Sequence, residues 1–142
     1  MEMAAYLTPA AREVMALVSQ KVHIVENGSA CHQYEIFGFF SATRRELTVC
    51  SRRIVGFGSP DRDINETLMH ESVHVAQACR GDFRYLRAFG VKSSAMPLSA
   101  AKAADLRKVL AFDSRLAQID REAFYMENKP GLVAYVVRKY CF

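Results

Sequence analysis

The stretch Asp63-Ile64-Asn65-Glu66-Thr67-Leu68-Met69-His70-Glu71-Ser72-Val73-His74-Val75-Ala76-Gln77-Ala78-Cys79-Arg80-Gly81 decides how the rest of the chain is read. Asp63 followed three residues later by Glu66 has the form of a capping box, in which the acidic side chain reaches back to the first free amides of a helix. Gly81 is a natural stop. A helix over Thr67 to Arg80 is therefore expected. Leu68, Val73, Val75 and Ala76 make it mostly buried. Inside it lies His70-Glu71-Ser72-Val73-His74, the spacing H-E-x-x-H. Residues four apart on a helix sit one above the other, so both imidazoles aim at one point. Two histidines and a glutamate on a buried helix need partners. A metal ion, zinc by choice, is the partner that fits two neutral imidazoles. Glu71 flanks the same point and is placed to act as general base toward a water there.

Working outward, Thr8 and Pro9 open an N-terminal helix that runs to about Gln20. Lys21 to Val25 is a strand candidate closed by Asn27-Gly28, Tyr34 to Phe40 a second, Glu46 to Cys50 a third and Ile54 to Phe57 a fourth. Residues 82–98, with Pro97, suit loop and short helical pieces. Ser99 caps a helical stretch reaching about Glu127 and broken near Asp113. After Asn128-Lys129-Pro130-Gly131, a last helix covers Leu132 to Tyr140. The order predicts one α+β domain over residues 1–142: an N-terminal helix, a small antiparallel or mixed sheet of three to four strands, the H-E-x-x-H helix, and C-terminal helices.

A catalytic zinc takes three protein ligands and keeps a position for water. No histidine follows His74, and Gln77 and Arg80 occupy the places of the glycine and third histidine of the extended motif. A carboxylate from a later helix is the expected third ligand. An apolar stripe runs through Leu106, Val109, Leu110, Leu116, Ala117, Ala123 and Phe124, and Asp113 and Asp120 fall within it. Asp120 is the first choice, since a carboxylate on a core-facing stripe needs a counter-charge. Glu122 lies off that stripe but reaches one methylene further, and stays as the alternative.

These segments resemble the zincin metallopeptidases, specifically the small gluzincin-like group. The resemblance rests on residues 67–77 and on Ile119-Asp120-Arg121-Glu122-Ala123, in two helical segments of the 142-residue chain. It implies a zinc-dependent hydrolase of peptide bonds, with a peptide or protein substrate. By position it makes Asp120 the third ligand, where the group usually has glutamate. It also implies an edge strand beside the zinc helix that aligns an extended substrate, Glu46 to Cys50 or Ile54 to Phe57 being the candidates. Tyr125, Tyr135 and Tyr140 are candidate donors to the oxyanion, and His23 and His32 are read as ordinary hydrogen-bonded side chains. The alternative from another class is a non-catalytic zincin-fold binding or regulatory module, since so short a chain has little wall for a deep cleft.

Composition bounds the remaining possibilities. The net charge is +4. Its arginine clusters (Arg44, Arg45, Arg52, Arg53, Arg80, Arg84, Arg87) read as a solvated basic face, because no nucleic-acid motif accompanies them. No nucleic-acid partner is expected. No apolar run is long enough to cross a bilayer, and Met1 to Ala11 lacks the basic start of a signal peptide, so a cytoplasmic protein is expected. Cys31, Cys50, Cys79 and Cys141 form no C-x-x-C pair and are expected to be mainly buried small hydrophobes, with a disulfide between two of them left open.

Overall fold

The computed structural model describes residues 2–142. A 3-10 turn over Glu2–Tyr6 precedes α1 (Pro9–Val18), whose first free amide is capped as expected: Thr8 Oγ1 accepts from the Ala11 N–H at 3.1 Å. Three strands follow, β1 (His23–Glu26), β2 (Gly38–Ser41) and β3 (Glu46–Val49), with the short helix α2 (Ser29–Gln33) between the first two. Then come α3 (Ser51–Phe57), α4 (Pro60–Arg80), a 3-10 turn at Ser93–Ala95, α5 (Ala100–Phe112), a 3-10 turn at Ser114–Leu116, α6 (Ala117–Met126) and α7 (Pro130–Cys141). The class is α+β. The sheet is mixed, in the order β1-β3-β2, with β1 parallel and β2 antiparallel to the central β3.

The fourth strand expected at Ile54 to Phe57 is helix α3 instead. A four-residue apolar run carries too little period to separate strand from buried helix. What decides the matter is remote: Asn27, left-handed at φ 57°, turns its Oδ1 to accept from the Arg52 N–H at 3.0 Å. Ser51 Oγ donates to Glu26 at 2.6 Å. Both contacts come from the end of β1 and satisfy the start of α3. Tyr34 to Phe40 also shortens, with only Gly38 onward entering the sheet.

The helix carrying His70 and His74 begins at Pro60, about two turns before the expected start at Thr67. Pro60 takes its first turn, and Asp63 Oδ2 accepts from the Ser59 N–H at 2.7 Å. Asp63 is thus a backward-reaching residue of a helix already under way rather than its cap, and Glu66 takes no part in capping. Helix α4 runs through the middle of the molecule, packed by β2 and β3, by α1 and α7, and by α6. Leu68, Met69, Val73, Val75, Ala76 and Ala78 are all buried along it.

All four cysteines are paired, Cys31 with Cys50 and Cys79 with Cys141. This corrects the expectation of mainly free, buried thiols. The pairs bridge 19 and 62 residues of sequence, and the second ties the end of α4 to the end of α7. No helix among the described residues is long and apolar enough to cross a membrane.

Candidate metal centre

On α4 the histidines at i and i+4 turn the same way, their ring centroids 5.0 Å apart and nearly perpendicular. Asp120 of α6 meets them: its Oδ1 lies 3.3 Å from His74 Nε2 and 3.9 Å from His70 Nε2. One ligand atom from each of the three lies within 4.8 Å of the other two. Ligands about 2.0–2.1 Å from a tetrahedral zinc sit about 3.3–3.4 Å apart. The His74–Asp120 distance matches that spacing and the His70–Asp120 distance is about 0.5 Å longer, and two imidazoles with one carboxylate form a donor set suited to a catalytic zinc. The residues present fit such an ion.

Each imidazole is held by its other nitrogen, the arrangement that orients metal ligands. Gln77 fixes His74. Its Nε2 donates to the Ile119 carbonyl and to Glu122 Oε1, both at 3.0 Å, so its Oε1 must face His74 Nδ1, at 2.7 Å. A carbonyl oxygen accepts, so His74 Nδ1 carries a proton; Nε2 donates to Asp120 when the ring is protonated and offers a lone pair to an ion when the ring is neutral. Glu127 Oε1 lies 3.4 Å from His70 Nδ1, and the Phe124 ring packs edge-on against the same imidazole.

Burial pushes the His70 pKa down to about 4, with Glu71 opposing and His74 adding to the shift. At neutral pH that imidazole is uncharged, the form a metal requires. At His74 burial acts the same way, but the hydrogen bond to Asp120 and the charges of Glu71 and Asp120 outweigh it and raise its pKa. Burial likewise raises Glu127, to about 7, against the pull of Lys102. Glu66 is raised by burial and by the neighbouring Glu127 charge.

Of the two carboxylates proposed as third ligand, the structure brings Asp120 to the histidines and sends Glu122 elsewhere. Glu122 is 0% exposed and its oxygens are taken. They accept from the backbone amides of Phe89, Gly90 and Val91 and from the side chains of Gln77 and Gln118. The single stripe drawn through residues 106–124 fails because α5 and α6 are separate helices. Asp113 breaks them, capping the turn at Ser114–Leu116 and pairing with Arg115. The phase restarts at Ala117, and from there both Asp120 and Glu122 face protein.

Glu71 is 8% exposed, lines a cleft of about 1080 Å³, and has no hydrogen-bond or ion-pair partner among the described residues. The cleft runs from Glu35–Gly38 on one side to Asp105, Val109, Phe112 and Leu116 on the other, with His70 in its wall. Gly38 permits this approach. A Cβ there would meet Thr67 Cγ2 at 2.5 Å and Glu71 Cγ at 3.2 Å. None of Tyr125, Tyr135 and Tyr140 lines the cleft. Neither strand expected to align a substrate is placed for it, since β3 is central and 54–57 is helical. Strand β2 is the edge whose Gly38 end borders the cleft.

Two residues of this neighbourhood escape a sequence reading, Glu127 and Glu66. Their signal is helical spacing alone: Glu127 follows Asp120 by seven residues and Glu66 precedes His70 by four, so each shares a face with a ligand candidate.

Comparison with curated proteins and with solved structures finds no match. A family model described as a domain of unknown function, DUF8637, matches residues 3–142, and the chain belongs to that family.

Proposed function

We propose that this protein is a zinc-dependent, zincin-like hydrolase of peptide bonds, with His70, His74 and Asp120 as the ligands and Glu71 as the general base. The observation that carries the reading is the convergence of those three side chains beside an unpartnered, buried Glu71 in the wall of an open cleft. The Glu71 carboxylate oxygens are not among the fully buried atoms left without a partner, so they open onto the cleft, where a water can meet them.

Bound there, zinc would polarise the scissile carbonyl and make a nearby water acidic enough to attack at neutral pH. Glu71 takes the proton of the attacking water and delivers it to the leaving amine. His74 keeps its Nε2 directed at the ion through the Gln77 amide, and His70 is oriented by Glu127. An extended substrate fits along the free edge of β2, where backbone pairing would align it. The cleft also weakens the main reason for preferring a non-catalytic module, the lack of walls in so short a chain. Two disulfides favour an oxidising compartment over the cytoplasmic one expected from the N-terminal sequence.

The test is zinc per chain by elemental analysis, followed by cleavage of a mixed peptide library read by mass spectrometry. The wild type is expected to hold about one zinc and to cleave, while Glu71→Gln keeps its zinc and loses about a thousandfold in rate. Wild-type protein that takes up no zinc from added metal would sink the reading.

A further inference from the structure

The whole chain carries a net charge of +4, but its cleft has the opposite sign. Glu35, Asp63, Glu66, Asp105 and Glu127 line it in addition to Glu71, against Lys108 as the one lining cation among the described residues. Lys108 is itself 3.9 Å from Asp105. A divalent ion at the metal centre would balance Glu71 and Asp120; Arg62 pairs with Asp63 at 3.0 Å and Lys102 stands 4.0 Å from Glu66, which leaves Glu35 and Glu127 as the lining acids with no lysine or arginine ion pair among the described residues.

Charge on a surface is usually just solvated. Two features set this cleft apart. Glu66 and Glu127 are held largely out of water, with side chains 24% and 11% exposed, and Lys102 approaches Glu66 no closer than 4.0 Å. Glu71 is more than nine-tenths buried, points into the same space and is unpartnered. The facing wall is apolar: Val109, Leu116 and Phe112, the last 96% exposed at the mouth. An exposed aromatic beside a concave site suits a ligand with an apolar group of its own.

We infer that the cleft takes cationic peptide segments, basic side chains being read by Glu35 and Asp105 at its rim and by Glu66 and Glu127 deeper in, with an apolar neighbour lying against Phe112. This names the substrate class of the hydrolase proposed above and rests on that reading. Acidic peptides are excluded by like charge, and the field of the cleft draws basic ones in. Glu35 and Asp105 determine specificity without entering the chemistry, because both are exposed and outside the ligand group.

The experiment measures binding apart from turnover. Zinc-loaded Glu71→Gln protein is titrated, by fluorescence anisotropy, with two labelled heptapeptides of equal apolar content, one with lysines and one with glutamates. The basic peptide is expected to bind about tenfold tighter at low ionic strength, with the gap closing as salt is raised. The double variant Glu35→Gln/Asp105→Asn, checked for native circular dichroism, should narrow the gap to about threefold. Equal affinities, a preference for the acidic peptide, or no binding of either overturns the inference. A preference untouched by the double variant overturns the assignment to the rim. The library digest separates the two claims. Cleavage with no basic preference rejects the substrate class and keeps the hydrolase. Basic-selective binding with no cleavage rejects the hydrolase and keeps the acidic, cation-binding cleft.

Discussion

Asp120 and Glu122 stand two residues apart on α6, both buried, and their surroundings are opposite. Glu122 sits among donors the protein itself supplies, three backbone amides and two glutamine side chains. Asp120 faces two imidazole nitrogens, each of which can hold either a proton or a metal ion. A carboxylate surrounded by N–H groups is finished by the fold. A carboxylate whose partners are imidazole nitrogens is completed by a proton they carry or by a cation they share with it. The difference separates a structural acid from a candidate ligand more sharply than burial does, since burial is nearly the same for both.

The largest effect expected from breaking this contrast is at Glu122. Glu122→Ala strips the partner from buried donors and should cost about 4 kcal/mol of stability, read by urea unfolding of metal-free protein. If that variant is as stable as wild type, Glu122 is not a clamp. Asp120→Ala should do the reverse. Metal-free stability is expected to stay within about 1 kcal/mol of wild type, while zinc affinity falls by about a hundredfold or more in a competition titration with a chelator. Retained affinity would strike Asp120 from the ligand set. Glu127→Gln weakens only the orienting contact on His70, and zinc affinity should drop about tenfold with the stoichiometry unchanged. The smallest effect sharpens the role of the cleft wall: Gly38→Ala presses on Thr67 and Glu71, and should lower kcat/KM about threefold at full zinc occupancy. No change there would mean that β2 can retreat without disturbing the base.

Local chemistry written in adjacent residues is legible in this sequence. Thr8-Pro9 and Ser99 cap the helices they precede, Gly81 ends α4, and the four-residue spacing of His70 and His74 needs only a helix to make them neighbours. What escapes depends on contacts made at a distance. Helix α3 is fixed by Asn27 and Glu26, more than twenty residues upstream. The role of Glu122 depends on the 89–91 loop folding back over α6, which no period within α6 announces. The cysteine pairs join segments that only the tertiary fold brings together, and spacing cannot choose among the pairings of four cysteines. Asp120 could be singled out, yet for a reason that fails in detail, since the stripe that favours it crosses a break at Asp113.

The Cys79–Cys141 bond has a topological consequence for the metal centre. His74 precedes the first of these cysteines by five residues, and Asp120 lies within the 62-residue loop that the bond closes. A single cut anywhere in that loop, including the long connection between α4 and α5, opens a ring without releasing a fragment. The α6 piece bearing Asp120 stays tethered to the helix bearing the histidines, at the high effective concentration that a short tether maintains. Were the proposed hydrolase to nick its own copies, Asp120, its candidate third ligand, would therefore stay in place, and the damage would show only after the bridge is reduced.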